Sequence, residues 1–159
     1  MILILMGVSG SGKTTVGHEL SARLDWPYLD ADDFHPPENV EKMRAGTPLS
    51  DEDRWPWLDA LNAQLRDFDA RGQSAILGCS ALKAVYRARL AQGCSDVHWV
   101  HLAGSFELIE ARLRTRKGHY MPASLLRSQF ATLEAPEEAI TVDIDATPAQ
   151  IASQIVEQL

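Results

Sequence analysis

With 159 residues, the chain is the size of one domain and can bury a substantial core. Its 45% hydrophobic and 23% charged residues exclude a disordered chain, and a net charge of −7 excludes a surface built to hold a nucleic-acid backbone, so an anionic ligand must be met by local cations. Two cysteines, Cys79 and Cys94, outside any Cys-x-x-Cys pair, exclude a disulfide framework and fit a reducing cytoplasm; the first apolar run is too short to span a membrane and lacks the basic flank of a targeting segment.

The run Ile2-Leu3-Ile4-Leu5-Met6 reads as a buried strand and leads into Gly7-Val8-Ser9-Gly10-Ser11-Gly12-Lys13-Thr14, a full match to Gly-x-x-x-x-Gly-Lys-Thr. Val16, Leu20 and Leu24 then recur at helical spacing, and Pro27 ends that helix. Tyr28-Leu29 reads as a second strand that carries Asp30, Asp32 and His35 to its C-terminal edge, beside the glycine loop if both strands share a sheet. A short helix over residues 38–45 is broken by Gly46 and Pro48. Ser50 reads as an N-cap with Asp51, Glu52 and Asp53 complementing the helix dipole, and Leu58, Leu61, Leu65 and Phe68 form the apolar stripe of a helix closed by Gly72. Ala75-Ile76-Leu77 is the next strand, ending at Cys79-Ser80, followed by a helix over residues 82–92 that stops at Gly93. A strand over residues 97–102 precedes a helix with Phe106, Ile109 and Leu113 on one side, which runs into the basic tract Arg112, Arg114, Arg116 and Lys117 before Gly118. A helix over residues 122–133, a strand over residues 140–144 and the capping box Thr147-Pro148-Ala149-Gln150 complete the chain. Such alternation predicts an α/β fold: five parallel strands flanked by helices in three layers, one domain over residues 1–159.

The glycine loop carries the clearest chemistry. Gly7, Gly10 and Gly12, with Ser9 and Ser11 between them, let the backbone turn its N–H groups onto an anion, and the following helix adds the positive end of its dipole. The pattern predicts a nucleoside triphosphate site in which Lys13 meets the β- and γ-phosphates, Thr14 ligates Mg²⁺ and Thr15 completes the phosphate-binding set. In an extended segment Asp30 and Asp32 point the same way, so that one carboxylate faces the Mg²⁺ shell and the other accepts the proton of an acceptor hydroxyl; an acidic loop capping a helix is the competing reading. No middle strand ends in an acidic residue, which makes Asp30 the natural substitute at the metal.

Arg54, Lys83, Tyr86 and Arg87 form the next group. Lys83 and Arg87 lie one helical turn apart with Tyr86 between them, so they present two converging cations and a phenol suited to an acceptor carboxylate, or else a surface ion-paired face. Arg112 and Arg116, at i,i+4 spacing, read as cations closing on the ATP phosphates from a lid near residues 112–124; Arg114 and Lys117 read as solvated, and His119 and Tyr120 sit at its hinge with roles left open. His18, His98 and His101 lack metal-ligand spacing, and Trp55, Trp57 and Trp99 read as packing residues. Both cysteines read as small hydrophobes. Five short strands and a basic segment suit a small kinase.

Several segments together resemble the bacterial gluconate kinases of the P-loop type over nearly the whole chain. They are the phosphate loop, Leu29-Asp30-Ala31-Asp32-Asp33-Phe34-His35-Pro36, Leu49-Ser50-Asp51-Glu52-Asp53-Arg54-Trp55-Pro56-Trp57-Leu58, Cys79-Ser80-Ala81-Leu82-Lys83 with Tyr86-Arg87, and Arg116-Lys117-Gly118-His119-Tyr120. The resemblance implies ATP-dependent phosphorylation of the C6 hydroxyl of D-gluconate, a fold similar to nucleoside monophosphate and shikimate kinases, and a homodimer. It gives Asp32 the contact to the acceptor hydroxyl, and the acceptor set becomes Asp32, His35, Arg54, Lys83, Tyr86 and Arg87, with no nucleic-acid or membrane partner. A kinase for shikimate or another small hydroxy acid, and a nucleotide-dependent binding or regulatory module, are the alternatives.

Overall fold

The computed structural model describes residues 1–115 and 122–159. Arg116, Lys117, Gly118, His119 and Tyr120, read above as lid and hinge, lie outside the described residues. In chain order the elements are β1 (Ile2–Met6), α1 (Lys13–Leu24), β2 (Tyr28–Asp30), a 3₁₀ turn (Ala31–Phe34), α2 (Pro37–Arg44), α3 (Asp51–Ala70), β3 (Ala75–Gly78), α4 (Ala84–Ala91), β4 (Val97–Ala103), α5 (Phe106–Thr115), α6 (Ala123–Thr132), β5 (Ile140–Asp143) and α7 (Pro148–Glu157).

The five strands form one sheet in the order β2-β3-β1-β4-β5, and every pairing is parallel. β1 is central and wholly buried, which is why all five of its residues are apolar. Successive side chains alternate between faces: Leu3 and Leu5 join Val16 and Leu20 of α1 and Ile151 and Ile155 of α7, whereas Ile2, Ile4 and Met6 join Leu58, Leu61 and Leu65 of α3 and Leu90 of α4. Helices therefore cover both faces in three layers, as the sequence alternation predicts.

Register then assembles one edge. Leu5 and Asp30 are both aligned with Gly78, so the glycine loop after β1, Cys79-Ser80 after β3 and the Asp30–Asp32 segment after β2 emerge at the same level. β2 is one strand removed from β1, with β3 between them. The order reverses at β1, the switch point where parallel sheets of this kind open a ligand crevice.

Local signals act where expected, with shifts. Ser50 Oγ accepts from Asp53 N at 3.1 Å while the Asp53 carboxylate accepts from Ser50 N at 2.9 Å, so Asp53 completes a capping box and does more than complement the dipole. Thr147 and Gln150 form the second box. α1 ends before Pro27 is reached, because Asp25 turns left-handed at φ 57° and returns its N–H to Ser21 O. α4 starts at Ala84, with Lys83 as its N-cap. Gly17 and Gly78 both face the Tyr28 ring, which occupies the space a Cβ would need.

Candidate active site

The phosphate loop closes on itself. Lys13 Nζ donates to Gly7 O at 2.9 Å and Val8 O at 3.0 Å, curling over the turn from the first position of α1. At Gly7 a Cβ would lie 2.7 Å from Ser11 Oγ and 2.9 Å from Leu102 O, and Gly12 caps α1 at φ 99°, so the sequence spends glycine where backbone approach and handedness demand it. Gly10 abuts Leu113 of α5. Ser11 Oγ is buried and has no hydrogen-bond partner among the described residues, a donor that fits a phosphate oxygen in the loop. Thr14 and Thr15 are exposed on the first turn of α1. Burial pushes the Tyr28 hydroxyl up to about 12, against a lowering influence from Thr14.

The loop is braced from two sides. Gly7 N donates to Ser80 O at 3.3 Å. Ser9 N donates to Gln129 Oε1 at 2.7 Å while Gln129 Nε2 donates to Ser9 Oγ at 3.1 Å, so α6 grips the loop through a reciprocal pair that the sequence did not reveal.

Asp30 and Asp32 do not lie on an extended segment. The chain turns into a 3₁₀ helix at Ala31, and Asp30 caps it by accepting from Asp32 N at 2.9 Å. The two carboxylates stay neighbours, since partial desolvation and the charge of Asp30 raise Asp32 above its ordinary value while Lys13 pulls it down. That balance places Asp32 within the field of the phosphate-loop lysine. Burial pushes the Cys79 thiol up to about 12, so it packs as an inert hydrophobe.

The turn is locked onto α3. Trp57 Nε1 donates to Ala31 O at 2.7 Å, and the His35 ring stacks on Trp57 with centroids 4.2 Å apart and planes 15° from parallel. Asn39 Nδ2 donates to His35 Nδ1 at 3.2 Å, and burial followed by the Arg54 charge lowers the His35 pKa, so the imidazole is neutral near pH 7. Asn39 also donates to Asp53 O at 2.8 Å, and Lys42 Nζ pairs with Asp53 Oδ1 at 2.8 Å. His35 is thereby held between Trp57 of α3 and Asn39 of α2.

Arg54, Lys83 and Tyr86 converge, and Arg87 does not. Arg54 Nη1 donates to Leu49 O at 2.8 Å and to Tyr86 Oη at 3.3 Å, with the Arg54 guanidinium 5.3 Å and the Lys83 ammonium 5.4 Å from the Tyr86 ring centre. The Arg87 guanidinium instead turns back onto Ala81 O at 2.7 Å, Leu82 O at 3.2 Å and Glu134 O at 2.8 Å. This corrects the expected convergence of Lys83 and Arg87: Lys83 precedes the helix, so the two do not share one face. Ala81, at φ 45°, occupies a left-handed conformation that Arg87 holds in place. Glu134 joins the same clamp, donating its N–H to Leu82 O at 2.8 Å and accepting from Ala84 N at 2.7 Å. Asp51, read only as a dipole partner, sits inside the cationic cluster as the acceptor of the Tyr86 hydroxyl. Arg112 donates to Ile144 O at 2.5 Å, a carbonyl just after β5.

The sequence matches an AAA domain family over residues 2–136. It is 44% identical to the thermosensitive gluconokinase of Escherichia coli over 95% of this chain and 83% of that protein, and 45% identical to the gluconokinase of Gluconobacter oxydans over 97% and 88%. The chain belongs to the gluconokinase family. Its fold agrees with that membership: the gluconokinase from Sinorhizobium meliloti, 38% identical, superposes with a TM-score of 0.88 over 98% of this chain and 89% of that one. The family is thus a P-loop nucleotide-binding kinase family, and the three-layer sheet described above is its fold.

Proposed function

We propose that the chain is an ATP-dependent gluconokinase that transfers the γ-phosphoryl group to the C6 hydroxyl of D-gluconate, giving 6-phospho-D-gluconate and ADP. One juxtaposition carries the reading. The phosphate loop with Lys13 and the Asp32 turn share a sheet edge, and Trp57 fastens that turn to α3, the helix whose first turn brings Arg54 to Tyr86 beside Lys83. Gluconate has the matching polarity, a primary hydroxyl at one end and a carboxylate at the other.

In this mechanism Lys13 and the loop N–H groups hold the β- and γ-phosphates, and Asp32 accepts the C6 proton as the oxygen attacks phosphorus in line. The raised Asp32 pKa suits a base that must take a proton near neutral pH. Thr14, exposed on the first turn of α1, and Asp30, whose cap leaves one carboxylate oxygen over, would hold Mg²⁺, which would supply charge neutralisation for the phosphates. The lid over residues 112–124, with Arg116 as its transition-state cation, belongs to the same proposal, as do one kinase domain over residues 1–159, a cytoplasmic setting and the homodimer that the family resemblance implies. Among the described residues no helix is long and apolar enough to cross a membrane.

A panel of acceptors in a coupled ADP-release assay tests the reading. Gluconate is phosphorylated well, and glucose, which lacks the carboxylate, loses roughly thirtyfold to several thousandfold in kcat/KM because it makes no charge-assisted contact with Arg54, Lys83 and Tyr86. Equal kcat/KM for the two, or turnover of shikimate in preference to gluconate, overturns it.

A further inference from the structure

The cationic cluster already holds a carboxylate. Tyr86, 4% exposed, donates its hydroxyl to Asp51 Oδ1; the same oxygen lies 3.5 Å from Lys83 Nζ and 3.9 Å from Arg54 Nη1. Three groups, from α3, from the residue preceding α4 and from α4 itself, thus converge on one oxygen atom. Starting α3 does not require this arrangement, since Ser50 and Asp53 form the capping box and Lys42 pairs with Asp53. The Asp51 side chain is 40% exposed and sits at the first residue of the helix, so it is open to exchange with an incoming anion.

We propose that Asp51 is a specificity-determining residue, an internal carboxylate that fills the acceptor-carboxylate pocket and is displaced by the carboxylate of the substrate. The proposal rests on the gluconate reading of Arg54, Lys83 and Tyr86. A carboxylate acceptor exchanges one carboxylate for another and recovers the same charge-assisted hydrogen bonds. A neutral acceptor gains nothing by displacing Asp51, and small anions meet a pocket whose two cations already share one carboxylate. Selectivity then arises as a difference between occupants of one site.

The experiment compares the unaltered protein with Asp51→Asn and Asp51→Ser. Gluconate binding is followed by the fluorescence of Trp55, whose ring lies 5.9 Å from Tyr86, alongside KM and kcat for gluconate and glucose and inhibition by acetate. With the competing charge removed, the gluconate Kd and KM should fall about three- to tenfold, the change residing in KM rather than kcat, and acetate should inhibit at correspondingly lower concentration. Gluconate KM unchanged or raised in both variants, with the melting temperature preserved, overturns the role of Asp51 while the unaltered enzyme's preference for gluconate over glucose leaves the function standing. Absence of that preference in the unaltered protein overturns both.

Discussion

Asp32 is the residue on which sequence, geometry and chemistry meet. Desolvation and the charge of Asp30 raise its pKa, and Lys13 opposes them. As the proposed base it must be ionised, so the acid limb of kcat/KM should lie above the value of about 3.9 of an unperturbed aspartate, and Asp30→Asn, by removing a neighbouring negative charge, should move that limb to lower pH. Linkage has the opposite sign for stability. A carboxyl raised in the folded state favours folding below its unfolded pKa and loses that contribution as pH rises through the folded value, so ionised Asp32 is a burden near neutrality. Asp32→Asn should abolish most of kcat, leave acceptor affinity nearly intact and raise Tm at pH 7 by about 1–3 °C, a gain that vanishes below about pH 4. A rise in KM with kcat retained would reduce Asp32 to a binding residue.

At the scale of elements, the site is held by the ends of helices and the turns before them. The segment between β3 and α4 carries Ser80, which braces the phosphate loop, and Lys83, which faces Asp51; Arg87 and Glu134 clamp it between them through Ala81, Leu82 and Ala84. Arg87 therefore holds the segment that carries Ser80 and Lys83. Arg87→Met leaves three carbonyls without a charged donor, which should cost about 2–3 kcal/mol of stability, visible as a lower urea midpoint at unchanged m-value. Its kcat/KM should fall by a similar factor for gluconate and for glucose, preserving their ratio. A loss confined to gluconate would return Arg87 to the acceptor pocket.

For the molecule as a whole, the decisive contact lies beneath the chemistry. β2 carries the Asp32 turn and pairs in the sheet with β3 alone, and its Tyr28 ring fits under α1 against Gly17 and over Gly78. Gly17→Ala would bring a Cβ within 2.6 Å of Tyr28 Cδ2, a rigid ring atom. The helix-propensity gain of about 1 kcal/mol is outweighed, leaving a net destabilisation of about 2 kcal/mol, and kcat falls because the Asp32 turn shifts against the phosphate loop. Replacing Tyr28 with Leu in the same chain should recover part of the stability, a coupling that a double-mutant cycle measures. Additive effects of the two substitutions would remove this packing argument.

The residues that carry their own instructions were legible without a fold. A glycine loop is written by its need for backbone N–H groups and positive φ, Ser50 and Thr147 announce helix starts through local hydrogen bonds, and period-two and period-3.6 apolar patterns place Leu3, Leu5, Leu58 and Leu61 in the core. Those signals act over a few residues, so one sequence suffices to read them. The partners of Asp51, Gln129 and Arg87 stand 35, 120 and up to 47 residues away along the chain, and no local pattern encodes them. Even Asp30 turned on this distinction: its spacing from Asp32 is a sequence fact, but whether the two align or one caps the other depends on a 3₁₀ turn that Trp57 fastens from α3. Composition and periodicity determined the layers, the loop and the chemistry offered to a phosphate; only packing decided that Arg54 and Lys83 gather at Tyr86 and Asp51 while Arg87 turns back onto carbonyls, because a charged side chain takes whichever partner the fold places within reach.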